Sequence, residues 1–239
     1  MALPSIASPQ FTLILPSTGK KFSYRPFLVK EEKILLIALE GGNPDDIINS
    51  IKEIIRVCVF GIDVEAISIF DLEYSFLRLR EKSISDKITI FVKHIDGINS
   101  DGNPCDHTQE ILVDLSLVDI VKTEGHDKKI QLTDEIGVVM KYPTLSILNE
   151  LGNYNSNTSF SIIADCIDYI YDADKTYPSL DYKKEEITAF VDNLTHTQLE
   201  KIEYFFETLP KVSYEVKWKC IKCKVEETIV LEGLTDFFT

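Results

Sequence analysis

The chain has 239 residues, of which 44% are hydrophobic, and carries a formal net charge of −14. That length and apolar content suffice for a sizeable core without cross-links. The acidity argues against a phosphate backbone as partner, because such binding depends on clustered Lys and Arg, and suits basic protein partners or plain solubility. The excess is uneven: residues 1–82 hold 10 basic and 11 acidic side chains, whereas residues 83–239 hold 15 and 28.

In chain order, residues 11–15 (FTLIL) and 21–24 (KFSY), joined by a Pro-Ser-Thr-Gly turn, predict a hairpin that is open to pairing with strands far downstream. Three helices follow. Residues 30–40 form an apolar run behind a Lys-Glu-Glu-Lys start, closed by Gly41 and Gly42; hydrophobic nearly all round, this helix is expected to be buried. Asn43 as cap, Pro44 in the first turn and the acids Asp45 and Asp46 open a second helix to about residue 60, with Ile47, Ile48, Ile51, Ile54, Ile55 and Cys58 as its stripe. The third spans residues 68–82, with Leu72, Phe76 and Leu79 sharing a face.

The period then changes from helical to alternating. Residues 88–94 (ITIFVKH) and 111–117 (ILVDLSL) predict strands, as do the shorter segments 129–132 and 137–142, with a helix from Pro143 to about Leu151. The Asn-rich stretch 152–159 marks a loop and a seam between halves. Beyond it, residues 160–171, 183–193 and 197–208 have helical spacing, and residues 212–218 alternate Val, Tyr, Val and Trp with polar residues before a turn at 220–224 and a returning strand at 226–231. The reading is an α+β fold with an N-terminal helical cluster, a β-rich middle and C-terminal helices ending in a hairpin, divided as residues 1–151 and 152–239, the two parts packing separately or as one.

Five cysteines at irregular spacing do not make a disulfide framework and indicate a reducing compartment. The first ten residues lack the basic and apolar regions of a signal peptide, and no apolar run approaches the roughly 18 residues of a membrane span. Cys220 and Cys223, at the tip of the last hairpin, form half of a tetrahedral zinc site. Cys105 and His107, in the loop before another strand, complete a Cys3His set if the two loops meet; otherwise the pair are ordinary thiols at a tight turn and the chain needs no cofactor. A redox role fits less well, since a thioredoxin-like pair opens a helix rather than closing a hairpin. No Gly-rich phosphate loop, nucleophile elbow or paired-carboxylate signature occurs, so nothing in the sequence argues for an enzyme.

Two blocks carry a resemblance: YRPFLVKEEK (24–33) and FDLEYSFLRLR (70–80) resemble the hallmarks of the T-even-type phage baseplate protein family, the hub subunits and assembly proteins of contractile tails. KYPTL (141–145) and LEGLTDFF (231–238) are similar to further segments of that family. The resemblance implies a non-catalytic structural or assembly role in the baseplate hub, with other hub proteins as partners, either as a virion subunit or as an assembly chaperone absent from the virion. It places the protein in the host cytoplasm during assembly and, if retained, in the tail. It also gives Arg25 and Phe27 a second reading, as contacts for a neighbouring tail protein instead of local capping and packing. The terminal Phe237 and Phe238, too apolar to stay in water, dock on the core or into a partner.

Overall fold

The computed structural model describes residues 7–94, 102, 105–149 and 156–237, which form an α+β fold as the sequence implies. They fall into two units: one from the described residues of Met1–Val64, Phe70–Val121 and Lys211–Thr239, the other from Glu65–Ile69 and Lys122–Pro210. The division placed at residues 151 and 152 lies inside the second unit's longer stretch, at positions outside the described residues.

The first unit begins with β1 (Phe11–Ile14), β2 (Lys21–Tyr24), α1 (Val29–Gly41), α2 (Pro44–Cys58) and α3 (Ile69–Ser83). β1 and β2 pair antiparallel with each other and, among the described residues, with no later strand. Past the hairpin the chain instead follows the exit of α2, with a bridge from Tyr24 to Val59 and the Arg25 N–H donating to the Cys58 carbonyl at 3.0 Å. The hairpin turn is pinned to the start of α3, where the Ser17 N–H and hydroxyl donate to the two Asp71 carboxylate oxygens at 3.0 and 2.5 Å. At the other end of α3, the Phe27 N–H donates to Ser83 Oγ at 2.9 Å. Residues 17–27 therefore run the length of α3, and Leu13, Leu15, Tyr24 and Phe27 are buried, as are Leu72, Phe76 and Leu79. Each such burial is worth about 1.5–3 kcal/mol.

Asn43 caps α2 as expected, its side chain accepting from the Asp45 N–H at 3.0 Å, and Gly42 ends α1 at φ +67°. The expectation that α1 is buried is corrected. Only Glu31, Leu35 and Ala38 are buried in it, while Val29, Leu36 and Ile37 are 66%, 50% and 69% exposed. An all-round apolar sequence offers several faces to bury, but α1 turns only one inward.

The rest of the first unit is β. β3 (Lys87–Lys93) pairs antiparallel with β4 (Thr108–Asp114), and β5 (Asp119–Val121) follows, a three-residue strand too short to show in the sequence pattern. In the second unit β6 (Lys129–Gln131), β7 (Gly137–Met140), α4 (Leu145–Asn149), α5 (Ser156–Cys166), β8 (Ile167–Tyr171), β9 (Thr176–Pro178), α6 (Lys184–Asp192) and α7 (His196–Glu207) make a four-stranded sheet, β6-β7-β8-β9, with helices around a core that includes Val138, Met140, Ile167, Ile202 and Phe205. The helix expected across residues 160–171 stops at Cys166. The β-branched and aromatic run IDYIY instead forms β8, paired on both sides by β7 and β9, where the ladder satisfies its backbone. The chain then returns to the first unit as β10 (Lys211–Lys219) and β11 (Glu226–Glu232), which with β5 make a sheet ordered β11-β10-β5. Val212, Val216 and Trp218 are buried in alternation, as predicted.

Candidate metal centre

On β3, Ile88 and Ile90 lie on the buried side, and the two-residue period of a strand brings His94 to the same side at its end. His94 is fully buried, and its N–H donates to the His107 carbonyl at 2.9 Å, extending the β3–β4 ladder by one pair. Cys105, also buried, lies two residues before His107.

The second half of the cluster comes from the β10–β11 turn. There the Cys220 N–H donates to the Val225 carbonyl and the Lys224 N–H to the Cys220 carbonyl, both at 2.9 Å, with Lys224 at φ +65°. Gln109, on β4, ties the two hairpins together: its side-chain N–H donates to the Lys219 carbonyl at 3.3 Å and its oxygen accepts from the Ile221 N–H at 2.9 Å. The result brings His94, Cys105, Cys220 and Cys223 together with one donor atom from each, all within 4.8 Å of one another. Cys105 Sγ is 3.9 Å from Cys220 Sγ, and Cys223 Sγ is 3.2 Å from His94 Nδ1. The far ring nitrogen, Nε2, faces the Glu227 carboxylate, and the Trp218 ring meets the imidazole edge to face with centroids 5.5 Å apart.

The thiols are free, and 3.9 Å between sulfurs is about twice the length of a disulfide bond. Burial pushes the Cys220 thiol up, but the Cys223 and Lys222 backbone N–H groups, with the Cys223 and His94 side chains, outweigh it and bring it down to about 6. Burial, together with Cys220 and Cys105, raises Cys223 against the Val225 N–H. His94 is raised, chiefly by the Cys105 side chain, against its burial and with help from Cys220 and Glu227. Three thiols and an imidazole are thus gathered at one buried point, where a bound cation would replace their protons.

The pair Cys220 and Cys223 does meet Cys105, but not His107. His107 Nε2 is buried without a hydrogen-bond partner, and His94 takes the fourth position. Strand parity held the missing signal: a histidine ending an apolar strand on the face of Ile88 and Ile90 points inward. Its distance from the Cys-x-x-Cys pair in sequence concealed it, as it concealed Gln109.

Three of the four residues read as partner contacts lie among the described residues. Phe27 is 5% exposed and packs beside Phe76, so it belongs to the core. Arg25 bonds the Glu31 carboxylate at 3.0 Å and the Pro26 carbonyl at 2.9 Å, the local ion pair that was its other reading. Phe237 is buried in a 3-10 turn closed by the Leu234 carbonyl, and Phe238 lies outside the described residues.

A family model described as T4 bacteriophage base plate protein matches residues 8–239. No curated protein and no solved structure matches the chain.

Proposed function

The chain belongs to the T4 bacteriophage base plate protein family, and we propose that it is a structural or assembly component of the baseplate hub that works by binding other baseplate proteins, without catalysis. The observation that supports this reading is the outer face of α1. Val29, Leu36 and Ile37 stand exposed along it, at spacings of seven and eight residues that keep them on one side, with Lys33 between them and Glu40 just beyond. An apolar strip interleaved with charges on an otherwise acidic protein has the composition of an interface centre with a polar rim. Among the described residues no helix is long and apolar enough to cross a membrane, and this strip lies on a helix of only 13 residues.

On this reading the protein acts in the host cytoplasm while the hub assembles, and in the virion tail if it is retained. Ile37→Glu and Leu36→Lys should leave folding within about 0.5 kcal/mol of wild type. They should weaken capture of baseplate proteins about tenfold, a loss of roughly 1.4 kcal/mol. Unchanged capture by both folded variants rejects α1 as the binding face. Mass spectrometry of purified particles separates the two roles: stoichiometric presence marks a subunit, and presence only in assembly intermediates marks a chaperone.

A further inference from the structure

We propose that His94, Cys105, Cys220 and Cys223 bind one Zn2+ in a closed structural site that staples the β3–β4 hairpin to the β10–β11 hairpin. Three sulfurs and one imidazole are a soft donor set, which selects zinc over the oxygen-seeking cations. The size also fits. A tetrahedron with metal–sulfur bonds of about 2.3 Å has sulfur–sulfur edges of about 3.8 Å, and Cys105 Sγ and Cys220 Sγ stand 3.9 Å apart. The remaining donor separations, all within 4.8 Å, need only small side-chain rotations to close on one ion.

The imidazole is already oriented for this task. Nδ1 faces the sulfurs and Nε2 lies beside the Glu227 carboxylate, the kind of neighbour to which a ligating histidine donates its other N–H once the side chains align. Nδ1 is therefore the coordinating atom, and a hydrogen bond from Nε2 to Glu227 would fix the tautomer that leaves it free. On binding, each thiol still protonated, and the imidazole Nδ1 wherever it carries a proton, gives that proton to solvent, and three thiolates, a neutral imidazole and Zn2+ leave the centre with one negative charge. Four protein donors leave no position for water or substrate, so the ion cross-links and does not catalyse. What it links is distant in sequence: two ligands come from the β3–β4 connection and two from the β10–β11 turn. The zinc staple is independent of the role in the baseplate.

The test uses the full chain, purified without chelator. Metal analysis should find one zinc per chain, and Co2+ exchanged into the site should give the intense visible absorption of a tetrahedral thiolate centre. Removing zinc should lower the thermal midpoint and open Cys105, Cys220 and Cys223 to a thiol reagent. His107→Asn should keep the metal, whereas His94→Asn should lose it. Glu227→Gln should weaken zinc binding about 10- to 100-fold. Should the His94 variant fail to fold, chelator competition on the wild-type protein reads the affinity directly. A folded, metal-free protein whose midpoint Zn2+ does not move overturns the proposal, as does a Cys105–Cys220 disulfide in protein kept under reductant. Loss of zinc from His107→Asn with retention in His94→Asn overturns the ligand assignment.

Discussion

Phe27 lies nearly parallel to Phe76, their ring centroids 6.3 Å apart and their planes 8° from coplanar. Both are buried, one on the strap that runs along α3 and the other on α3 itself. Phe76→Ala should cost about 3–5 kcal/mol through lost burial and a cavity, and Phe27→Ala should cost a comparable amount because it opens the other side of the same contact. Urea denaturation of the two variants and the double variant checks this. Less than additive losses are expected from rings in contact, and a Phe27→Ala protein with an unchanged midpoint would remove Phe27 from the core.

Arg25 and Glu31 form a second test, through pH. Glu31 accepts from Arg25 at 3.0 Å and, with its other oxygen, from the Leu28 N–H at 2.6 Å, which caps α1. Burial pushes the Glu31 carboxyl up, but Arg25 and the Leu28 N–H outweigh it and hold it below the usual carboxylate range. A depressed folded-state value adds stability that is fully present above the unfolded value of about 4.3 and is lost as pH falls through the lower folded value. Arg25→Ala should therefore cost about 1–3 kcal/mol at neutral pH, by leaving a buried carboxylate short of one partner, and should flatten the acid limb of the stability curve. Denaturation midpoints measured from neutral to acid pH read both effects.

In the second unit His126 has the opposite chemistry and the same direction with pH. Its Nδ1 meets Thr208 Oγ1 at 3.0 Å and its Nε2 the Tyr142 hydroxyl at 3.2 Å, while its ring stacks on Tyr142 and Phe205. Burial, then Lys122 and Lys128, lowers its pKa against Asp127. The unfolded chain takes up a proton near pH 6.5 and the folded one only at a lower value, so this contribution is complete above about 6.5 and declines as pH falls through that window. His126→Phe keeps the stack and loses the titration; it should cost about 1 kcal/mol at neutral pH and remove that part of the slope. Tyr142 and Phe205 near the substitution allow the transition to be followed by aromatic signals of the unit itself.

Much of this fold was legible because local chemistry and tertiary structure agree. Asn43-Pro44-Asp45 starts α2 where the residues place it, and the Val, Tyr, Val, Trp alternation became β10. The failures came where a neighbour decided. Ile167–Tyr171 has apolar spacing that suits a helix or a strand, and only the presence of β7 and β9 on either side makes it β8. α1 has the composition of a buried helix, and nothing local states how many of its faces find cover. The cluster of candidate ligands was legible in part for the same reason: the cysteines of the turn and Cys105 announce themselves by spacing and loop position, whereas His94 meets them through two separate hairpins, far apart in the chain, that Gln109 ties together.

The pairing of Val121 with Lys211 in the β5–β10 ladder sets the order in which the protein can be completed during synthesis. A ribosome adding roughly 5–20 residues per second delivers β10 about 5–20 s after β5. Until then the β5 edge has no partner there, and Cys220 and Cys223 do not yet exist to meet His94 and Cys105. Most of the residues made during that wait belong to the second unit, which carries its own sheet and core. Of the two units, the first is thus begun before the second on the ribosome and finished after it.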